Sequence, residues 1–261
     1  MGRRKKLIIG NWKMNFTVGE ASLHLHKLEQ AIKPSTLVEV VLAPSTISLQ
    51  TLSLQVKPKQ FKLAAQNFHW CDFGAFTGET SIHQLKGTVR YALAGHSERR
   101  YIFGETNRGI RKKVAAALRH GVSPILCVGE TANERQFNET SDVIYDQLVS
   151  GLAEVTSEDA SKVVVAYEPV WAISTTKDAE ICTPDSVAKA VKIIRRHVEH
   201  LYGKKVASEI RVVYGGGVNE NNAVSYLLVD GVDGLLVGSS SLDVKSFVDI
   251  VEKSKRAGGK A

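Results

Sequence analysis

Short apolar runs of strand length alternate along the chain with longer stretches whose apolar residues recur at helical spacing, and the alternation occurs eight times. The runs predict strands over Leu7 to Asn11, Val38 to Ala43, Phe61 to Gln66, Tyr91 to Gly95, Ser123 to Val128, Val163 to Glu168, Arg211 to Tyr214 and Gly234 to Val237. Helices are predicted over Gly19 to Ile32, Asn107 to His120, Asp142 to Val155, Pro184 to Tyr202, Glu220 to Val229 and Leu242 to Lys255. A run such as Lys162-Val163-Val164-Val165-Ala166-Tyr167 lacks the alternation of a half-exposed strand and suits a parallel sheet covered by helices. Punctuation agrees: Pro184 follows Thr183 where a first helical turn accepts proline, and Gly203 follows Tyr202 as a stop. The pattern therefore predicts an α/β fold, a closed (β/α)8 barrel. A dinucleotide-binding sheet is the competing architecture, but no G-x-G-x-x-G follows the first strand.

Length alone, 261 residues, would allow two domains, yet no Pro/Gly/Ser-rich linker divides the chain, so residues 1–261 are expected to form a single barrel domain. Composition is that of a soluble globular protein, 43% hydrophobic and 23% charged. The 34 Lys plus Arg against 27 Asp plus Glu leave +7, a balance that can signal nucleic acid. Much of the excess is terminal, at Arg3 to Lys6 and at Lys253, Lys255, Arg256 and Lys260, where solvated tails are expected to carry it, and no nucleic-acid partner is expected. The apolar run behind the N-terminal basic residues spans only Leu7 to Ile9, too short for a signal-peptide core or a membrane span, so a cytoplasmic location without membrane attachment is expected. Cys71, Cys127 and Cys182 are odd in number and lack metal-type spacing, which predicts free thiols and no metal ligand set.

In a parallel barrel the chemistry sits at the carboxyl ends of the strands and on the loops that follow. Glu168 ends the sixth strand before Pro169, Val170 and Trp171, where a partly dry pocket would make its carboxylate a stronger base; a buried ion pair is the alternative. His96 stands where the fourth strand ends and Ser97 and Glu98 can open a helix, an environment that disfavours a protonated ring; a capping or packing role fits as well. Lys13, two residues beyond Asn11, can present a cation to an anionic substrate at the same mouth or simply be solvated. The turns Tyr214-Gly215-Gly216-Gly217-Val218 and Gly238-Ser239-Ser240-Ser241 lie where barrels bind phosphate through backbone N–H groups, or are plain tight turns.

These motifs resemble the triosephosphate isomerase family over essentially the whole chain. The resemblance is carried by Asn11-Trp12-Lys13-Met14-Asn15, Gly74 to Glu79, Gly95 to Arg100, Cys127 to Glu130 and Ala166-Tyr167-Glu168-Pro169-Val170-Trp171. It implies a single TIM barrel that interconverts dihydroxyacetone phosphate and D-glyceraldehyde 3-phosphate without metal or organic cofactor. For this family the pairing of a carboxylate base with a neutral imidazole is established, and the resemblance places it on Glu168 and His96, with Lys13 as the third catalytic group. It further implies that Asn11, Lys13, Ser174, Gly217, Gly238 and Ser239 bind substrate, that Glu98 orders the charges beneath, and that Pro169 to Ala179 form a lid. The loop Asn67 to Glu79 would insert into a second copy near Asn11, Lys13 and Met14, making a homodimer. The chain departs from the family at Ser174-Thr175-Thr176, where Gly-Thr-Gly is usual, at Gly217, where Ser is usual, and at Ser239, where Gly is usual. These changes suggest a relocated latch on the Thr176 hydroxyl, and they motivate the rival reading of a catalytically weak barrel kept as a scaffold or binding module.

Overall fold

The computed structural model describes residues 4–174 and 179–260. Eight parallel strands close into a barrel: β1 Lys6–Asn11, β2 Val38–Ala43, β3 Phe61–Ala65, β4 Tyr91–Ala94, β5 Ser123–Val128, β6 Val164–Tyr167, β7 Arg211–Tyr214 and β8 Gly234–Val237. β1 pairs with both β2 and β8, which completes the ring. Around it run α1 Val18–Ala31, α2 Thr46–Gln55, α3 Ser97–Tyr101, α4 Asn107–Arg119, α5 Ala132–Gln136, α6 Thr140–Leu152, α7 Ser157–Ala160, α8 Pro184–Glu209, α9 Ala223–Leu227 and α10 Val244–Lys260.

The absence of alternation in the strands has its cause here, because both faces are buried. Leu7, Ile9, Val41, Leu93, Ile125 and Leu236 pack inside the ring, while their neighbours Ile8, Val40, Leu42, Ala92, Leu126 and Leu235 pack outward in the larger core beneath the helices. α1 buries Ala21, His24, Leu25 and Leu28, the i, i+3, i+4, i+7 stripe of a helix lying on a core. Its start is fixed by a capping box, in which the Thr17 hydroxyl accepts from the Glu20 amide and the Glu20 carboxylate accepts from the Thr17 amide.

Three expectations need correction. Gly203, at φ +84°, breaks α8 as anticipated, but the chain resumes helical geometry and runs to Glu209. Instead of spanning Glu220 to Val229, the helix before β8 is only Ala223–Leu227, because Asn219 and Asn222 side chains accept backbone N–H bonds at residues 219, 221 and 222 and hold a turn. Arg4, Lys6 and Lys253, among the terminal basic residues, are built into the barrel rather than carried on solvated tails. Arg4 bonds Ser208 O and pairs with Asp233, Lys6 Nζ reaches Val232 O at 2.5 Å, and Lys253 reaches Glu220 O at 2.7 Å. No described helix is long and apolar enough to cross a membrane.

Candidate active site

The mouth at the carboxyl ends of the strands gathers the expected groups. β1 ends on Asn11, and Lys13 follows in the left-handed region at φ +51°, a conformation costly for a residue with a side chain. It is held there partly by the Lys13 N–H, which donates to Asn11 Oδ1 at 3.1 Å, and by Lys13 Nζ, which donates to Glu98 Oε1 at 2.6 Å. β4 ends on Ala94, and His96 caps α3: its Nδ1 accepts the Glu98 amide at 3.2 Å. A ring nitrogen that accepts an N–H carries no proton, so the ring is neutral with its proton on Nε2. Nε2 lies 3.3 Å from Asn11 Nδ2, and both are then donors. Two N–H groups set side by side mark the place of an oxygen acceptor.

Glu168 follows β6 and is 2% exposed. Its Oε2 accepts the Ser97 amide at 3.0 Å, while the buried Oε1 has no hydrogen-bond partner among the described residues and lies 3.5 Å from His96 Nε2. Burial, with the Glu168 carboxylate adding to it, pushes the Cys127 thiol well up, so a neutral S–H flanks the carboxylate. Gly129 is packed so closely that a Cβ there would lie 2.0 Å from the Glu168 carbonyl oxygen. Gln147 braces this turn from α6, accepting the Gly129 N–H at 2.8 Å and donating to its carbonyl at 3.2 Å. Arg100 ties the ends of β4 and β5 together through Gly95 O at 2.8 Å and Cys127 O at 3.0 Å.

Beyond Pro169 the backbone makes a 3-10 turn at Val170–Ala172, pinned by a buried carboxylate. Glu130 accepts from Trp171 Nε1 at 2.9 Å and from the Tyr167 hydroxyl at 3.1 Å, and burial pushes its carboxyl up. Arg135 covers the Trp171 ring at 3.7 Å and pairs with Glu180 at 2.8 Å. A pocket lined by Asn11, Lys13, His96, Glu168, Ile173, Ser174, Gly215, Gly216, Val218, Leu236, Gly238 and Ser239 thus joins the ends of β1, β4 and β6 to both glycine-rich turns. Gly217 stands apart from that lining, its N–H engaged by Ala172 O at 2.8 Å. Ser174 Oγ and Ser239 Oγ face each other at 3.5 Å. The latch expected on Thr176 falls outside the described residues. Sequence reasoning gave no role to Arg100, Glu130 or Gln147. Glu130, two residues past β5, was reachable by the same strand-end rule, whereas nothing in α6 singles out Gln147.

The family model for triosephosphate isomerase matches residues 6–254, which takes in every strand and the whole mouth. The chain belongs to the triosephosphate isomerase family. It is 43% identical over 249 residues to the triosephosphate isomerase of Clostridium acetobutylicum, covering 95% of this chain and 99% of that one. Against the triosephosphate isomerase of Endomicrobium trichonymphae identity is 42% over 253 residues, 97% and 100% of the two chains. Against that of Streptococcus mutans it is 40% over 250 residues, 95% and 98%. Such coverage makes the barrel, mouth and turns of this chain those of a triosephosphate isomerase family member.

Proposed function

We propose that the chain interconverts dihydroxyacetone phosphate and D-glyceraldehyde 3-phosphate, an aldose-ketose isomerisation, with Glu168, His96 and Lys13 as its catalytic residues. Glu168 takes a proton from the carbon beside the carbonyl, and the electron pair moves onto the carbonyl oxygen. His96 Nε2–H and Asn11 Nδ2–H donate to that oxygen, and Lys13 offsets the developing negative charge. His96 then moves a proton between the two oxygens of the enediolate, and Glu168 returns its proton to the neighbouring carbon. Every step is a proton transfer, so the scheme asks for no metal or organic cofactor. The observation that carries the reading is the buried Glu168 Oε1, an acceptor with no hydrogen-bond partner among the described residues, 3.5 Å from the His96 nitrogen.

The phosphate sits against Ser174, Gly238 and Ser239, with Lys13 beside Gly238, while Gly217, expected to bind it, lies outside that lining with its N–H taken by Ala172 O. Backbone N–H groups supply most of the binding, and the two serine hydroxyls add donors that glycine would lack. The active unit is a homodimer formed through the loop Asn67 to Glu79. Support comes from Phe73 and Met14, 77% and 95% exposed, and from a second cavity lined by Asn11, Lys13, Met14, Asn67, Glu98 and Phe103 that opens beside the catalytic groups and can receive a partner's loop. The protein works in the cytoplasm, on a small phosphorylated triose, without nucleic acid or membrane. A coupled assay on purified protein tests the activity: conversion of glyceraldehyde 3-phosphate supports it, and failure at any substrate concentration overturns it in favour of a scaffold.

A further inference from the structure

The geometry points to a divalent transition-metal site, of the type that takes zinc, formed by Asp72, His83 and His120 at the root of the loop Asn67 to Glu79. The three residues come from separate segments: the loop, the stretch just after it, and the cap that ends α4. Each offers one ligand atom, and these atoms lie within 4.8 Å of one another. Two imidazoles and one carboxylate are a ligand set that zinc accepts, with water in a fourth, tetrahedral position. Bonds of ~2.0–2.1 Å in a tetrahedron place ligand atoms roughly 3.3 Å apart. His120 Nε2 and Asp72 Oδ1, now 2.8 Å apart, need only separate slightly, while the wider contacts close by up to roughly 1.5 Å through side-chain rotation.

The surroundings favour a ligand over a self-contained cluster. His83 is half-buried, touches the Phe73 and His120 rings edge-on, and has no side-chain hydrogen bond among the described residues. Its nitrogens therefore have no protein partner to give up. Asp72 Oδ1 lies 2.8 Å from His120 Nε2. Arg119 donates to Asp72 Oδ1 at 2.7 Å, which orients the carboxylate as outer partners of metal ligands commonly do. On binding, His120 surrenders the hydrogen bond from Nε2 and carries its proton on Nδ1, so that Nε2 faces the ion. None of the three residues lines the catalytic pocket, so the site takes no part in the isomerisation. Its effect is to tie the loop to α4.

The test uses the full-length protein, stripped with chelator and then titrated with zinc chloride, and separately with cobalt chloride for its visible spectrum. The expected result is one equivalent bound per chain, a cobalt spectrum of tetrahedral type, and a higher unfolding temperature in the presence of zinc. His83→Gln and His120→Gln should each weaken zinc binding at least about tenfold and remove the zinc-dependent shift. Circular dichroism and isomerase turnover in the absence of metal serve as folding controls and should match the parent protein. The proposal is overturned if the parent protein binds no zinc at tens of micromolar, or if the His83→Gln/His120→Gln double variant binds it equally well.

Discussion

At the scale of single residues, the site is governed by how little room surrounds Glu168. A methyl group on Gly129 would meet the Glu168 backbone oxygen at 2.0 Å, and backbone cannot step aside as a flexible side-chain end can. Gly129→Ala must therefore displace the base. Misplacement near 1 Å costs about 100-fold in rate, and the same overpacking costs ~1–3 kcal/mol in stability. Steady-state kinetics beside a denaturant titration check both, and a Gly129→Ala enzyme with parental turnover would show that the base tolerates displacement. At the turn after β8, where phosphate binding is proposed, Ser239 adds a hydroxyl facing Ser174 across 3.5 Å. One such bond contributes about 1 kcal/mol, so Ser239→Ala should raise KM about fivefold with kcat little changed. An unchanged KM would leave the phosphate to backbone N–H groups alone. The residue scale also shows where sequence reading ended. The meeting of Lys13, His96 and Glu168 at one mouth was legible because each stands at or just past a strand end, where a parallel barrel puts its chemistry. That the His96 proton sits on Nε2 was not legible, since it depends on the Glu98 amide reaching Nδ1.

At the scale of elements, α1 is bonded to the turn after β8 through His24, whose ring nitrogen lies 3.0 Å from Ser241 O. Burial pushes this imidazole below its ordinary 6.5, with the Ser241 contact acting in the opposite direction. The folded chain keeps His24 neutral where the unfolded chain protonates it. Its contribution to stability is thus full above about 6.5 and is lost as pH falls from there through the lowered folded value. His197 is shifted down by burial as well, so the dependence should have two sources. His24→Gln retains an amide donor toward Ser241 and removes one titrating group. The fall in melting temperature between pH 7.5 and 5.5 should then be smaller than in the parent, and an equal fall would assign the dependence elsewhere. The strands were readable nearly to the residue because burial on both faces leaves continuous apolar runs. α2 was missed because Ser48, Gln50, Thr51, Ser53 and Gln55 dilute its apolar face, which rests on Leu49 and Leu52. α9 was overextended because helical spacing in Glu220 to Val229 does not reveal that Asn219 and Asn222 bind the backbone instead.

At the scale of the whole molecule, the barrel gathers its strand ends at one mouth, and a second cavity opens beside Lys13 and Glu98. The exposed Phe73 and Met14 lie on the loops that border it, which is the expected surface of a protein that works as a pair. Sedimentation at assay concentrations should give a dimer, with turnover falling as dilution separates the subunits; a monomer with full turnover would contradict the pairing. The proposed isomerisation rests on one proton passing through Glu168. Its most direct test is isomerisation in deuterium oxide followed by proton NMR, for the parent protein and for Glu168→Gln. Deuterium should appear on the carbon beside the carbonyl in product made by the parent enzyme, and Glu168→Gln should lose both turnover and exchange by ~100 to 10,000-fold. Exchange and turnover that survive Glu168→Gln undiminished would contradict it.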